Sequence, residues 1–154
     1  MISTVTGVFM KYEAVMESME VDFTDAQIRF EAETNSVTTH QEQRDAHLRS
    51  DDFFNSEKFP KLTFVSTSIE QKSTREYVLT GKLTIRDVSK SIDLRVSYGG
   101  STTDSSGRIK LGFELSGKLN RKEFGLKWDA VTDTGSIVAA DEVNLLLNVQ
   151  MIKV

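Results

Sequence analysis

The chain has 154 residues, of which 38% are hydrophobic and 27% charged, and its formal net charge is -4. This length favours a single domain over residues 1–154 with a sizeable core, and this composition excludes a disordered chain. The absence of cysteine excludes disulfides and thiolate chemistry. The acidic balance argues against nucleic acid as a partner, because a polyanion requires clustered positive charge.

Period-two alternation of apolar and polar residues dominates the chain and predicts β-strands, since successive side chains of a strand point to opposite faces. The alternation is clearest at residues 109–116 and 143–152. Seven strands are predicted, over residues 8–23 (long and bent), 27–34, 61–70, 76–86, 91–99, 108–119 and 142–153. Because short turns separate these strands, an antiparallel meander that closes into a barrel or packs as a sandwich is predicted.

One segment departs from the β pattern. Residues 41–48 are rich in good helix formers, and Thr39 followed by Glu42 matches a capping box. A short helix is therefore predicted at about residues 40–48. The single proline, Pro60, stands where the strand over 61–70 should begin, a position that a strand tolerates.

The sequence also bears on the compartment. No stretch approaches the roughly 20 apolar residues of a membrane-spanning helix. Residues 1–5 have neither the basic nor the long apolar region of a secretory leader. As given, the sequence predicts a cytoplasmic protein that does not span the membrane. A periplasmic protein whose N-terminus has been removed would look the same.

Motifs for catalysis and metal binding are absent from the sequence, among them GxSxG, HExxH, the Walker motif and GxGxxG. The two histidines, His40 and His47, are favoured as solvated or locally hydrogen-bonded side chains over metal ligands. Adjacent acids such as Asp51 and Asp52 are more often turn residues than catalytic pairs. The residues therefore predict no catalytic group, no metal site and no cofactor.

The aromatic side chains fall into two groups along the chain. One group surrounds the predicted helix and the following strand, with Phe53, Phe54 and Phe64, and the other is Phe124 with Trp128. Aromatic residues at such positions most often fill a core. A barrel of about eight strands is just wide enough either to be filled by side chains or to hold a small ligand. Both interpretations stay open at this point.

Four stretches resemble motifs of the YceI-like family, and they follow one another along the chain in the family's order. The most specific is the segment over residues 48–64, LRSDDFFNSEKFPKLTF, which resembles the family's helix exit and strand entry. The others are ISTVTGVF at residues 2–9, LTGKLTI at residues 79–85 with Lys90 after the turn, and GKLNRKEFG at residues 117–125. The resemblance therefore extends over nearly the whole chain.

The resemblance implies an all-β, antiparallel, lipocalin-like barrel of about eight strands with a helical lid region. It implies a carrier that encloses a long isoprenoid lipid, such as a polyprenyl phosphate or a quinone-like lipid, and it implies no catalytic residues. Together with the alternating apolar faces, it indicates six residues as the lining of the ligand cavity: Phe53, Phe54, Phe64, Phe113, Phe124 and Trp128.

Two departures from the family pattern matter. Asp87 stands in a hairpin position where the family has glycine, although aspartate tolerates left-handed backbone better than most residues. The family's opening strand has no counterpart, so the barrel is expected to be one strand short unless another element closes the gap. Its unpaired edges would then invite pairing with a second copy in a homodimer.

Two alternatives to a lipid carrier stay open on the sequence. The first is a small-molecule enzyme in the barrel that uses carboxylates with Arg44 or Arg121. The second is a filled barrel that acts through its surface. A cavity with convergent polar groups and strongly shifted carboxylates would favour the enzyme.

Overall fold

The computed structural model of the chain describes residues 5–128 and 140–154. In these ranges it contains one α-helix and nine strands, two of which have only two residues. The elements are β1 Val8–Phe9, β2 Tyr12–Glu17, β3 Gln27–Glu33, β4 Val37–Thr38, α1 Glu42–Arg49, β5 Lys61–Gln71, β6 Glu76–Ile85, β7 Val88–Thr103, β8 Ile109–Asn120 and β9 Glu142–Ile152. Short 3-10 turns span Thr34–Ser36 and Arg121–Phe124.

Seven strands form one antiparallel sheet in the order β2-β3-β5-β6-β7-β8-β9, and β1 pairs with β4 in a small second sheet. The large sheet curls into a half-barrel. Within the described ranges, β2 and β9 are its two edges. The predicted all-β antiparallel fold is confirmed, and each of the seven predicted strands contributes a segment to this sheet.

The predicted strand over residues 8–23 is wrong as a single element. It divides into β1, β2 and a loop over residues 18–26. In this loop the Asp25 carboxylate accepts hydrogen bonds from the Ser18 hydroxyl at 2.6 Å and from the Met19 backbone N–H at 2.7 Å. Such local side-chain bonds give the backbone an alternative to the β-ladder, which ends the strand.

The helix is confirmed at Glu42–Arg49, but the predicted capping box is wrong. Gln41 is the N-cap residue, and its side chain makes no capping hydrogen bond. The hairpin between β6 and β7 also differs from expectation. Its left-handed residue is Arg86, with φ of 54°, rather than Asp87. Pairing of Ile85 with Val88 leaves only Arg86 and Asp87 in this turn.

The concave face of the sheet carries the apolar side chains of the alternating pattern. Because opposite residues in an antiparallel register share a face, the pairing defines rows across the concave side. One row consists of Leu147, Leu115, Val96 and Tyr77, and another of Ala14, Phe30, Phe64 and Leu83. Most of the buried apolar side chains of the sheet lie on the central strands β5, β6 and β7.

Gly81 allows the Phe64 ring to lie directly against β6. A Cβ atom at Gly81 would overlap that ring and would lie 2.7 Å from the carbonyl oxygen of Val65. We therefore expect Gly81→Ala to lower the free energy of unfolding by about 1–3 kcal/mol, the usual cost of overpacking. Urea denaturation measures this change. Gly112→Ala is the matched control, since a Cβ there meets nothing nearer than 3.9 Å. Equal stability of the two variants would contradict the argument.

Candidate functional site

The concave face is apolar but incompletely covered along its open side. Its half-buried side chains lie on the strands that flank the opening and include Ile28, Phe30, Phe113, Leu115 and Leu145. On β9, Leu147, Val149 and Met151 are also half-buried, while the alternating outer residues are exposed. A contiguous apolar surface that the fold leaves partly uncovered is typical of a binding site.

An aromatic cluster built on α1 and the following turn closes one end of the concave face, called here the cap end. The Trp128 ring lies 4.4 Å from the His47 ring and 5.5 Å from the Phe53 ring, between centroids. Phe54 packs against Phe9 at 5.5 Å. The His47 Nε2 atom lies 2.8 Å from the Asp52 carboxylate, so this histidine is locally hydrogen-bonded.

Arg86 fastens the cap end to the hairpin between β6 and β7. Its Nη1 atom donates to the carbonyl oxygens of Asp51 at 2.6 Å and Phe53 at 3.0 Å, and Nη2 donates to the Asp51 carboxylate at 2.9 Å. These bonds fix the turn that presents the Phe53 ring. The acidic residue Asp51 is therefore part of a structural contact.

The loop over residues 18–26 closes the opposite end, called here the loop end. The Phe23 ring centroid lies 5.1 Å from that of Tyr98, 5.5 Å from that of Phe113 and 6.3 Å from that of Tyr77. The Tyr77 hydroxyl donates a hydrogen bond of 2.6 Å to the backbone carbonyl of Asp22. Burial, followed by the nearby Asp22 charge, raises the pKa of the Tyr77 phenol, which therefore stays a donor.

The six residues predicted to line the cavity are distributed over three places. Phe53, Phe54 and Trp128 lie at the cap end, while Phe113 lies at the loop end. The other two, Phe64 and Phe124, are 5% and 1% exposed and belong to the core. A role in ligand binding stays a prediction for all six. His47 and Phe23 also belong to the two end clusters, and the sequence pattern does not predict either of them there.

Asp45 fastens α1 to β4 and the residue after it. Its carboxylate accepts hydrogen bonds from the Thr39 hydroxyl at 2.5 Å, the Thr39 backbone N–H at 2.8 Å and the Thr38 hydroxyl at 3.2 Å. These bonds, that of the Thr39 hydroxyl first, lower the pKa of Asp45. Thr39 therefore donates hydrogen bonds to Asp45 and does not cap the N-terminus of the helix.

The lowered pKa of Asp45 makes part of the stability dependent on pH. The contribution is fully present above the unfolded-state pKa of about 3.9 and is lost as the pH falls through the lower folded-state value. We expect Asp45→Asn to be less stable than the parent at pH 7 and to lose less stability on acidification below about pH 4. Thermal melts across this range measure both effects. Parallel pH profiles for the two proteins would contradict the assignment.

Arg121 directly follows β8, and its side chain is buried at the cap end. It binds two separate segments of the chain, one before and one after the undescribed residues 129–139. Its Nη1 atom donates to the carbonyl oxygens of Leu126 at 2.6 Å and Trp128 at 2.8 Å, and its Nε donates to that of Ala140 at 2.8 Å. The guanidinium also lies 3.8 Å from the Asp141 carboxylate. Arg121 thereby positions Trp128 and the start of β9.

The described residues contain one further groove of notable size. A groove of about 560 Å³ lies on the outer side of the sheet and is lined by glycines with Arg75, Lys110 and Gln150. Its polar lining does not suit a lipid tail. No group of three histidine or acidic side chains that could hold a metal occurs within residues 5–128 and 140–154. In the same ranges, no helix has the length and apolarity needed to cross a membrane.

A curled antiparallel sheet with an apolar concave face, closed at one end by a helix, defines a lipocalin-like class of binding fold. A family model described as the YceI-like domain matches residues 1–151, and the chain belongs to this family. Protein YceI of Escherichia coli O157:H7 is 35% identical over 144 residues, which cover 94% of this chain and 72% of that protein. A UPF0312 protein of Shewanella denitrificans is 35% identical over 127 residues, 82% of this chain and 66% of that protein.

Solved structures show the same fold. The crystal structure of the Campylobacter jejuni YceI protein matches with a TM-score of 0.86 and 32% identity, over 99% of this chain and 87% of that one. BcnA of Burkholderia cenocepacia matches with a TM-score of 0.84 over 98% of this chain and 90% of that one. Its 20% identity makes it evidence for the fold alone.

Proposed function

We propose that this protein is a non-catalytic carrier that binds a long apolar isoprenoid lipid, a polyprenyl phosphate or quinone-like lipid, along the concave face of its sheet. The observation that carries the proposal is the surface of half-buried apolar side chains on the concave face, which lies between the two aromatic clusters. A lipid tail laid on this face gains roughly 25 cal/mol for each Å² of apolar surface removed from water.

The length of the concave face suits a chain-like ligand. Phe113 at the loop end and Leu119 towards the cap end are six residues apart on β8, which corresponds to about 20 Å along an antiparallel strand. We place the polar head of the lipid at the cap end, where His47 is partly exposed beside Trp128. An apolar groove with a few polar groups at its mouth is the usual form of such a site.

The enzyme alternative loses the arginines on which it depends. Arg44 donates to the Thr39 hydroxyl at 2.8 Å and the Thr39 carbonyl at 3.2 Å, and Arg121 binds backbone carbonyls. Asp22, Asp25, Asp45 and Asp104 have a lowered pKa because hydrogen bonds stabilise each carboxylate. A catalytic acid needs the opposite shift.

We also propose that two copies pair along β9. In the described part of the chain this edge strand has no neighbour on its outer side. It is eleven residues long, contains neither proline nor lysine, and presents Leu146 at 66% exposure. Natural edge strands are usually protected by proline, by lysine or by a distortion of the strand. Sedimentation velocity measures whether the mass is that of a dimer.

Titration of the single tryptophan tests the carrier proposal, because Trp128 lies in the cap-end cluster. We expect delipidated protein to show a saturable change in tryptophan emission with geranylgeranyl phosphate. Inorganic phosphate, the control for the head group, should leave the emission unchanged. An emission that does not respond to the prenyl phosphate, together with no bound lipid in a filter-retention assay, would contradict the proposal.

A further inference from the structure

We propose that Phe23 sets the maximum length of the lipid chain that the concave face accepts, by blocking the loop end. The inference rests on the carrier function proposed above and adds a determinant of ligand specificity. Phe23 lies outside the motifs that resemble the family and outside the six residues predicted to line the cavity.

The Phe23 ring lies across the loop end of the apolar concave face and blocks it. It meets Tyr98, Phe113 and Tyr77, which come from three neighbouring strands, at centroid distances of 5.1–6.3 Å. All three contacts are edge-on, with interplanar angles of 61–76°. A ring that spans β6, β7 and β8 in this way lies in the path of a chain extending along the strands.

The loop is built to place this one ring inward. Met19 and Val21 in the same loop are 92% and 96% exposed, whereas Phe23 is partly buried. Phe23 also has φ of 63°, a left-handed conformation that is unfavourable for a residue with a side chain. The surrounding structure must therefore stabilise this conformation.

Hydrogen bonds on both sides hold Phe23 in its left-handed conformation. The backbone N–H of Phe23 donates to the Glu20 carbonyl at 3.2 Å, and its carbonyl accepts from the Ala26 N–H at 3.0 Å. The Tyr77 hydroxyl binds the Asp22 carbonyl, and the Asp25 carboxylate binds the start of the loop. These bonds join backbone groups to one another and to the side chains of Tyr77 and Asp25, so replacing the Phe23 ring removes none of the groups that form them.

The test is a chain-length series of linear prenyl phosphates that differ by one isoprene unit, measured by isothermal titration calorimetry. For the parent protein, affinity is expected to rise with chain length and then to stop rising at a limit. In Phe23→Ala the limit moves to a longer chain, and the affinity for that chain increases at least about tenfold, as burial of about two further methylene groups provides. In Phe23→Trp the limit moves to a shorter chain.

Val21→Ala is the matched control, because its side chain is exposed in the same loop, and its length profile should equal that of the parent. An unchanged limit in both Phe23 variants would overturn the inference while leaving the carrier function intact. If the parent itself binds no prenyl phosphate of any length, the carrier function fails instead. Phe23→Trp retains an aromatic ring and keeps the test decisive if Phe23→Ala does not fold.

Discussion

Replacing Arg121 with alanine is expected to lower the free energy of unfolding by about 3 kcal/mol, because the buried guanidinium donates charge-assisted hydrogen bonds to three backbone carbonyls. The Arg121 side chain is 5% exposed beside Asp141. Its loss leaves the carbonyl oxygens of Leu126, Trp128 and Ala140 without this donor. The bond to Leu126 is buried and the other two are partly buried, and acceptors left there without a partner carry a desolvation cost.

Urea denaturation followed by circular dichroism measures this loss, and two variants serve as controls. Arg121→Lys keeps the charge but cannot reproduce the geometry of the planar guanidinium, so it should also be destabilised. Lys118→Ala removes a nearby cation whose side chain is 69% exposed, and it should change stability by less than about 1 kcal/mol. Similar stabilities for Arg121→Ala and Lys118→Ala would contradict the role assigned to Arg121.

Placing a carboxylate on the concave face is expected to weaken lipid binding strongly. In Leu147→Glu the new carboxylate lies in the row with Leu115 and Val96. A lipid tail bound there would have to remove the water that hydrates this carboxylate. We expect the affinity for geranylgeranyl phosphate to fall at least about 100-fold, since burying an unpaired charge costs several kcal/mol.

Asn148→Glu is the matched control for this experiment. It introduces the same charge one residue further along β9, on the exposed outer face, and its affinity should stay within about twofold of the parent, since alternation points it away from the ligand. Circular dichroism checks that both variants are folded. Equal binding by the two variants would show that the ligand does not lie on the concave face.

The strands were predictable because one side of the sheet is apolar along its whole width. The alternation of apolar and polar residues from Ile109 to Ser116 indicates the apolar side directly, and β8 begins at Ile109 and includes this whole stretch. The boundary of β2 was not predictable in the same way. The residues after Glu17 continue an apolar pattern, and only the bonds of Asp25 to Ser18 and Met19 reveal the loop.

The end clusters depended on contacts between residues distant in sequence. Trp128 was recognised as aromatic, but its contact with His47 joins positions 81 residues apart in the chain. The alternation predicts Phe23 as the last residue of a strand and does not show that its ring turns inward, although Thr24 and Asp25 are typical turn residues. The sequence offers Arg121 as a motif residue and as a candidate catalytic group, but it does not show which carbonyls the guanidinium binds.

The most direct test of the carrier function is native mass spectrometry of the protein before and after lipid extraction. We predict a bound species with the mass of a chain lipid in the untreated protein, its loss on extraction, and its return with a prenyl phosphate. The Leu147→Glu variant should show no such species. An untreated protein without any bound lipid, together with an extracted protein that takes up no prenyl phosphate, would contradict the account.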